Sequence, residues 1–229
     1  MKLILIVFGL AALLAAFAAS PRGAEKKMYF MFFVTGEGKR PAEAKELEAM
    51  QAAHIANMGA QAKLGKLFAA GPVADPGKAR RGITVIRMES PSEIHEIFKN
   101  DPYVQHDIMK VVFSPWDVDV KSFKPTVDPS TIAEHRLVLM RRGKGMQPEN
   151  DAMMKAHKDF LNGLKKTHGL AVWGAVHDLE GVREVLIFTG KDTEGIEKKL
   201  REDAYVQKAL MDPEILPLWM SKGVVGGTN

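Results

Sequence analysis

Two short stretches, Asp101-Pro-Tyr-Val-Gln105 and Asp203-Ala-Tyr-Val-Gln207, stand 102 residues apart. Working outward, Ala53-His54 recurs as Ala156-His157, and Gly71, Val73 and Asp75 recur as Gly174, Val176 and Asp178, all at an offset of 103. Pro115 returns as Pro217 at 102. Matches that keep their order and spacing across half a chain point to an internal duplication, and a repeat changes the reading of the whole fold. The segment between the copies, residues 117–134, holds Pro125 and Pro129 among Ser, Thr and Asp, a loop composition read as a linker.

The element pattern of one unit follows from local chemistry. Met28 to Val34 is aromatic and β-branched and predicts a strand. Pro41 suits a helix start, and residues 42–63 are mostly strong helix formers, with Leu47, Met50, His54 and Met58 on one face. Gly65 is the expected stop. Strands are expected at Leu67–Ala70 and Ile83–Met88 about a polar turn, then a helix to Asn100 with Ser92 as N-cap, then a strand at Met109–Phe113. The second copy repeats the order with strands at Arg136–Met140, Leu170–Val176, Glu184–Phe188 and Leu216–Met220, and helices at Glu149–Thr167 and Thr193–Glu202. Strand, helix, strand, strand, helix, strand is the ferredoxin-like pattern. Both helices then cover one face of the sheet and leave the other face, partly apolar, open to water. The expected fold is therefore α+β: two βαββαβ units, residues 28–116 and 135–221, packed sheet to sheet as an intramolecular pseudo-dimer. Covalent attachment raises the effective concentration of the partner, and further self-association is compatible with this arrangement.

Composition narrows the function classes. The chain is 46% hydrophobic and 26% charged, which is globular rather than disordered. Its net charge of +4 comes from scattered pairs such as Arg80-Arg81 and Lys165-Lys166, with acids between them, and not from the dense basic stripe of a nucleic-acid binder. Cysteine is absent, which removes disulfides, thiolate nucleophiles and thiolate metal sites. At the N-terminus Lys2 precedes an apolar and small run from Leu3 to Ala19, with Ala16-Phe17-Ala18 as a small-x-small site. This predicts a signal peptide over residues 1–18, a periplasmic or secreted protein, and no membrane association after cleavage. The alternative is an uncleaved anchor, for which the run is at the short limit.

With a helical His54, a strand ending in Gly71-Pro72, Gly82-x-Thr-Val-Ile86 and Asp101-Pro-Tyr-Val104, the sequence resembles the YciI-like (YCII-related domain) family, and both copies share the likeness. The resemblance implies a dimeric α+β barrel and an active site made of the helical histidine and the aspartate of the Asp-Pro-Tyr element. Carried over, these are His54 and Asp101 in the first copy, and His157 and Asp203 in the second. The reactions assigned to the family and its wider superfamily act on small, often aromatic or halogenated, organic molecules. The sequence departs from the family at Ile83, where serine is usual. It also has Gly174-Ala175 for Gly-Pro and Asp203-Ala204 for Asp-Pro, and no recognisable Gly-Ser-Thr stretch near Arg183 to Leu186.

A histidine oriented by an aspartate can act as general acid or base near neutral pH. The expectation is an exported small-molecule-binding protein working as a lyase or hydrolase through such pairs, with no cofactor. Haem, which barrel relatives can ligate through a helical histidine, is not the expected partner. The plainer reading of the same residues is that His54 and His157 are core histidines and that Asp101 and Asp203 cap the turns after them. This reading gives a non-catalytic binding or structural domain. Asp75 and Asp178 follow a strand-ending glycine in both copies; they are turn residues first and a pocket rim second. The glycines of Gly36-x-Gly38 and Gly143-x-Gly145 lie in loops and fall short of a phosphate-binding motif, and no metal-ligand spacing occurs.

Overall fold

The computed structural model describes residues 25–124 and 131–226, apart from the side chain of Asp178. The expected leader, residues 1–18, lies outside the described residues. The first unit runs β1 (Lys27–Thr35), α1 (Ala44–Lys63), β2 (Leu67–Pro72), β3 (Arg80–Met88), α2 (Pro91–Phe98), α3 (Pro102–Gln105) and β4 (Met109–Asp117). The second runs β5 (Ile132–Arg142), α4 (Asp151–Thr167), β6 (Leu170–Leu179), β7 (Val182–Thr189), α5 (Thr193–Leu200), α6 (Ala204–Gln207) and β8 (Met211–Ser221). Both halves thus show the βαββαβ order, with one extra turn of helix before each last strand.

Most boundaries fall where local chemistry puts them. Gly65 adopts φ +66° directly after α1, a left-handed turn that glycine takes without steric penalty, and Gly169 does the same after α4. The start of α2 differs from expectation. The N-cap is Ser90, with Pro91 behind it and Glu93 completing a capping box; the Glu93 carboxylate accepts from the Ser90 backbone N–H at 3.2 Å. Ser92 instead lies inside the first turn, because a helix led by proline places its cap one residue before the ring.

Strand order within the halves is β2-β3-β1-β4 and β6-β7-β5-β8. The central strands β1 and β5 are buried on both faces, which explains their unbroken apolar runs. Tyr29, Met31 and Phe33 point beneath the first unit's helices, whereas Phe30 and Phe32 point the other way into the largest apolar cluster. That cluster joins the halves: Val85 and Trp116 from the first unit meet Leu137, Val185, Leu216 and Leu218 from the second. These side chains pack between the sheets, out of contact with solvent. Burying this face is the main reason for two units to associate, since each such side chain contributes about 1.5–3 kcal/mol when removed from water.

Two seams close the barrel. At one, β4 pairs with β6 through Trp116–Val176 and Asp117–Ala175, and Trp116 Nε1 donates to the Gly174 carbonyl at 3.0 Å. At the other, Val73 bridges Leu218 and the Ala74 N–H donates to the Pro217 carbonyl at 3.0 Å. Val73 corresponds to Val176, and Trp116 to Leu218, so the seams are related by a pseudo-two-fold axis, as isologous contacts are. The repeated glycines sit at these crossings. A Cβ on Gly71 would lie 1.7 Å from the Trp219 carbonyl oxygen, and one on Gly174 would lie 2.2 Å from that of Asp117. Beyond β4, Phe123 is buried against Trp116 and bridges Val225, so part of the expected linker is docked on the barrel's end.

These contacts predict opposite outcomes for two glycine substitutions measured by chemical denaturation. Gly71→Ala forces backbone apart at a seam and is expected to destabilise by at least about 2 kcal/mol. Gly59→Ala, inside α1 with nothing near its Cβ position, is expected to stabilise by about 0.5–1 kcal/mol through helix propensity. Equal effects at the two sites would contradict the assigned role of Gly71.

Candidate active site

In the first half, α1 carries His54 onto the start of α3, which carries Asp101. His54 Nδ1 and Asp101 Oδ2 lie 2.7 Å apart. Asp101 is completely buried; its other oxygen accepts from the Tyr103 N–H at 3.1 Å, and Asn57 Nδ2 lies 3.4 Å from Oδ2. The aspartate therefore caps a helical turn and orients the histidine with the same carboxylate, so the two readings of it are compatible. A carboxylate only accepts, which requires Nδ1 to carry a proton and leaves Nε2 as the acid–base nitrogen. Nε2 has no hydrogen-bond partner among the described residues, and the side chain is 14% exposed. Phe33 and Tyr103 hold the ring by edge contacts at 5.2 and 5.3 Å between centroids.

The second half starts from the same pair and closes it. His157 Nδ1 lies 2.8 Å from Asp203 Oδ2, and Nε2 lies 2.8 Å from Glu184 Oε2, with the ring buried. Two carboxylates, one on each nitrogen, require two N–H donors, so the ring is an imidazolium. Burial alone would lower its pKa, but the hydrogen bonds to Asp203 and Glu184 and their charges outweigh that and raise it to about 9. The cation stacks on Tyr205 at 4.5 Å and 14° between planes. The Tyr205 hydroxyl donates to Glu149 at 3.0 Å; burial and that carboxylate push its pKa up to about 12. Glu149 pairs with Arg183 at 2.6 Å, and Arg183 lies over the Tyr205 ring. The expectation that His157 and Asp203 duplicate the chemistry of His54 and Asp101 meets a physical obstacle: His157 has no free nitrogen.

The other candidates lie elsewhere. Asp75 is held by Arg80, whose Nε donates to Oδ2 at 3.0 Å, and this lowers the carboxyl's pKa against the opposing effect of burial. Arg80 continues across to Glu214 of β8, which also accepts from Arg141 Nε at 2.7 Å. Asp75 thus belongs to a clamp between the halves rather than to the rim of the histidine site. Asp178 lies in β6, and its side chain is outside the described residues. The amides of Gly36, Gly38, Gly143 and Gly145 all donate to carbonyls of the chain, so they present no phosphate cradle. Among the described residues no three His, Asp or Glu side chains gather as metal ligands, and no helix is long and apolar enough to cross a membrane. Asp203 and Glu184 approach His157 from opposite nitrogens, so their oxygens share no point.

Sequence reading missed Glu184, Glu149 and the arginines over the tyrosines. Glu184 stands 102 residues after Gly82, the offset of the Asp-x-Tyr-Val elements, so the repeat itself carried the signal. Two surface clefts flank the first unit's helices. One of about 360 Å³ lies between α2 and β4; the other, about 380 Å³, lies between α1 and α2 and is lined in part by Asn57. Neither has His54 in its wall.

Solved structures with this architecture include a protein proposed to be a chlorite dismutase (11% identical, TM-score 0.58, covering 87% of this chain and 96% of that one). A proposed monooxygenase from Fusobacterium nucleatum is 13% identical with a TM-score of 0.52, covering 90% and 97%. A heme-binding protein from Thermus thermophilus is 14% identical with a TM-score of 0.50, covering 86% and 90%. At such identities the likeness is one of fold, and it defines the class: the chain is a dimeric α+β barrel made within one polypeptide. More narrowly, residues 31–117, essentially the first unit, match the family model of the YCII-related domain. No curated protein matches the chain in sequence.

The raised pKa of His157 has a signed consequence for stability. An unfolded histidine titrates near 6.5, so the folded state favours the proton. The resulting stabilisation is fully present below about pH 6.5 and is lost as pH rises through about 9. The stability gap between the wild type and His157→Gln should therefore narrow by about 2.5 kcal/mol from pH 7 to pH 10 in urea titrations. A gap independent of pH would contradict the imidazolium assignment.

Proposed function

We propose that this chain is an exported protein of two YciI-like copies. Its first half binds a small organic molecule and acts on it, in lyase or hydrolase fashion, through His54 as general acid or base. Asp101 fixes the His54 tautomer and stabilises the imidazolium that forms when Nε2 takes a proton, as a carboxylate does behind a catalytic histidine. The observation that carries this reading is the difference between the two histidines. His54 keeps one nitrogen free and partly exposed, while His157 has both engaged. The second half then supports the barrel and has no acid–base role of its own.

The match of residues 31–117 to the YCII-related domain supports the first copy; the repeated His/Asp geometry and the pseudo-symmetric seams support the second. The second half offers no histidine ligand to a heme, which one barrel neighbour binds, because both nitrogens of His157 are engaged. Export is supported by the leader-like run from Leu3 to Ala19, and periplasmic or secreted material should begin at Ala19.

Diethyl pyrocarbonate tests the acid–base assignment, because it acylates an imidazole nitrogen that keeps its lone pair. At pH 7, mass-spectrometric mapping should find His54 modified at least ten-fold faster than His157. Equal rates, or faster reaction at His157, would contradict the reading. The competing view, a binding domain without catalysis, predicts ligand-induced thermal shifts that survive His54→Ala with no turnover to lose; the acid–base reading predicts that His54→Ala abolishes turnover while the fold is kept.

A further inference from the structure

The halves can be aligned strand for strand through their pairing. Phe33 of β1 faces Gly82 of β3 as Met140 of β5 faces Glu184 of β7, and Tyr29 faces Pro115 as Arg136 faces Pro217. Gly82 and Glu184 therefore hold the same place, on the helix-covered side of the sheet beside the histidine. In the second half that place supplies the carboxylate on His157 Nε2. In the first half it supplies no side chain. A Cβ on Gly82 would have only backbone atoms of Gly71 and Pro72 as its three nearest neighbours, at 2.9 to 3.7 Å.

Two more differences run in the same direction. Next along that face, Thr84 stands where the second half has Leu186, and its buried Oγ1 has no hydrogen-bond partner. Over the tyrosines, Arg183 is neutralised by Glu149, whereas Arg40 lies 5.9 Å from the Tyr103 ring centroid and makes no ion pair among the described residues. The Tyr103 hydroxyl meets neutral Gln51, where Tyr205 meets a carboxylate. The first half thus keeps the histidine, the buried aspartate, the tyrosine and the arginine, and lacks both acids that close the second.

We propose that the first half takes a small organic molecule bearing an anionic oxygen, in the simplest case a carboxylate. Binding is coupled to uptake of a proton at His54 Nε2, and the resulting imidazolium donates to that oxygen in the place that Glu184 occupies in the second half, with Arg40 at the rim and the Thr84 hydroxyl on the floor. The second half carries in its own chain the group that the first half takes from solution. This rests on the acid–base reading of His54 and names the substrate class for that site.

The test uses the full chain and two matched probes, benzoate and its neutral analogue benzamide, with histidine side-chain nitrogens followed by NMR and assigned through His54→Gln and His157→Gln. Benzoate should displace the His54 Nε2 signal saturably and leave His157 unmoved, with benzamide at least ten-fold weaker. Glu184→Gly should open the corresponding place in the second half, so that benzoate also moves His157 and two sites are titrated instead of one. This variant serves in preference to Gly82→Glu, whose Cβ would crowd the Gly71 carbonyl. If benzoate and benzamide act alike on His54, or His157 stays unmoved in Glu184→Gly, the anion assignment is overturned. If His54 still shows the Nδ1–H tautomer and a titrating Nε2, the acid–base reading stands without it. If that tautomer is missing, both fall.

Discussion

The apolar face that each four-stranded sheet leaves uncovered is the constraint on which the molecule depends. Helices shield one side of each sheet, and only the other unit can shield the second side. Phe30, Phe32 and Val85 on one inner face and Leu137, Val185 and Leu218 on the other form a single cluster that neither half could keep from water alone. The seams follow from this burial. Sheets brought face to face must cross at their edges, and at both crossings a backbone carbonyl occupies the volume of a side chain, so Gly71 and Gly174 have no Cβ to place there. The Arg80–Glu214 clamp adds a polar tie across the same junction, partly shielded from solvent and with its charges paired.

Under this constraint the histidine sites are free to diverge. The seams serve both halves at once and stay alike, but each site lies on the helix side of its own sheet, away from the shared face. The second site has become a closed set of charges: Arg183, Glu149, His157, Glu184 and Asp203, with a tyrosine between them. Removing one member of such a set leaves an uncompensated buried charge, which makes it costly to disturb and poorly suited to exchanging protons with a substrate. The first site keeps a bonded His/Asp pair and leaves one nitrogen open.

Much of the architecture was legible in the sequence because it is local or periodic. The recurrence of Ala-His, Gly-x-Val and Asp-x-Tyr-Val at offsets of 103 and 102 pointed to two units, and the aromatic and β-branched run at residues 28–34 marked a strand, which the structure buries on both faces. The dyads were legible as residue pairs, since a histidine on a helix face and an aspartate before a tyrosine are short-range features. The closure of one dyad was not, because Glu184 reaches His157 from a strand whose neighbours depend on register, and a glycine in a strand gives no sign of what its missing side chain exposes. Asp75 read as a turn residue at a pocket rim, but its partner Arg80 ties it to Glu214, 139 positions away, a pairing set by barrel closure alone. Ser92 has the side chain of a cap, but Pro91 takes the first helical position and Ser90 caps it.

If the inner faces hold the halves together, the chain should unfold as one cooperative unit. The direct measurement is urea unfolding followed separately by Trp116, in the first half, and by Trp173, in the second, in variants that retain one of these tryptophans at a time, with each curve referred to the same variant's circular dichroism. Coincident midpoints by the two probes are the predicted result. A first half that melts at a denaturant concentration where the second remains folded, or the reverse, would contradict the shared core and the barrel built on it.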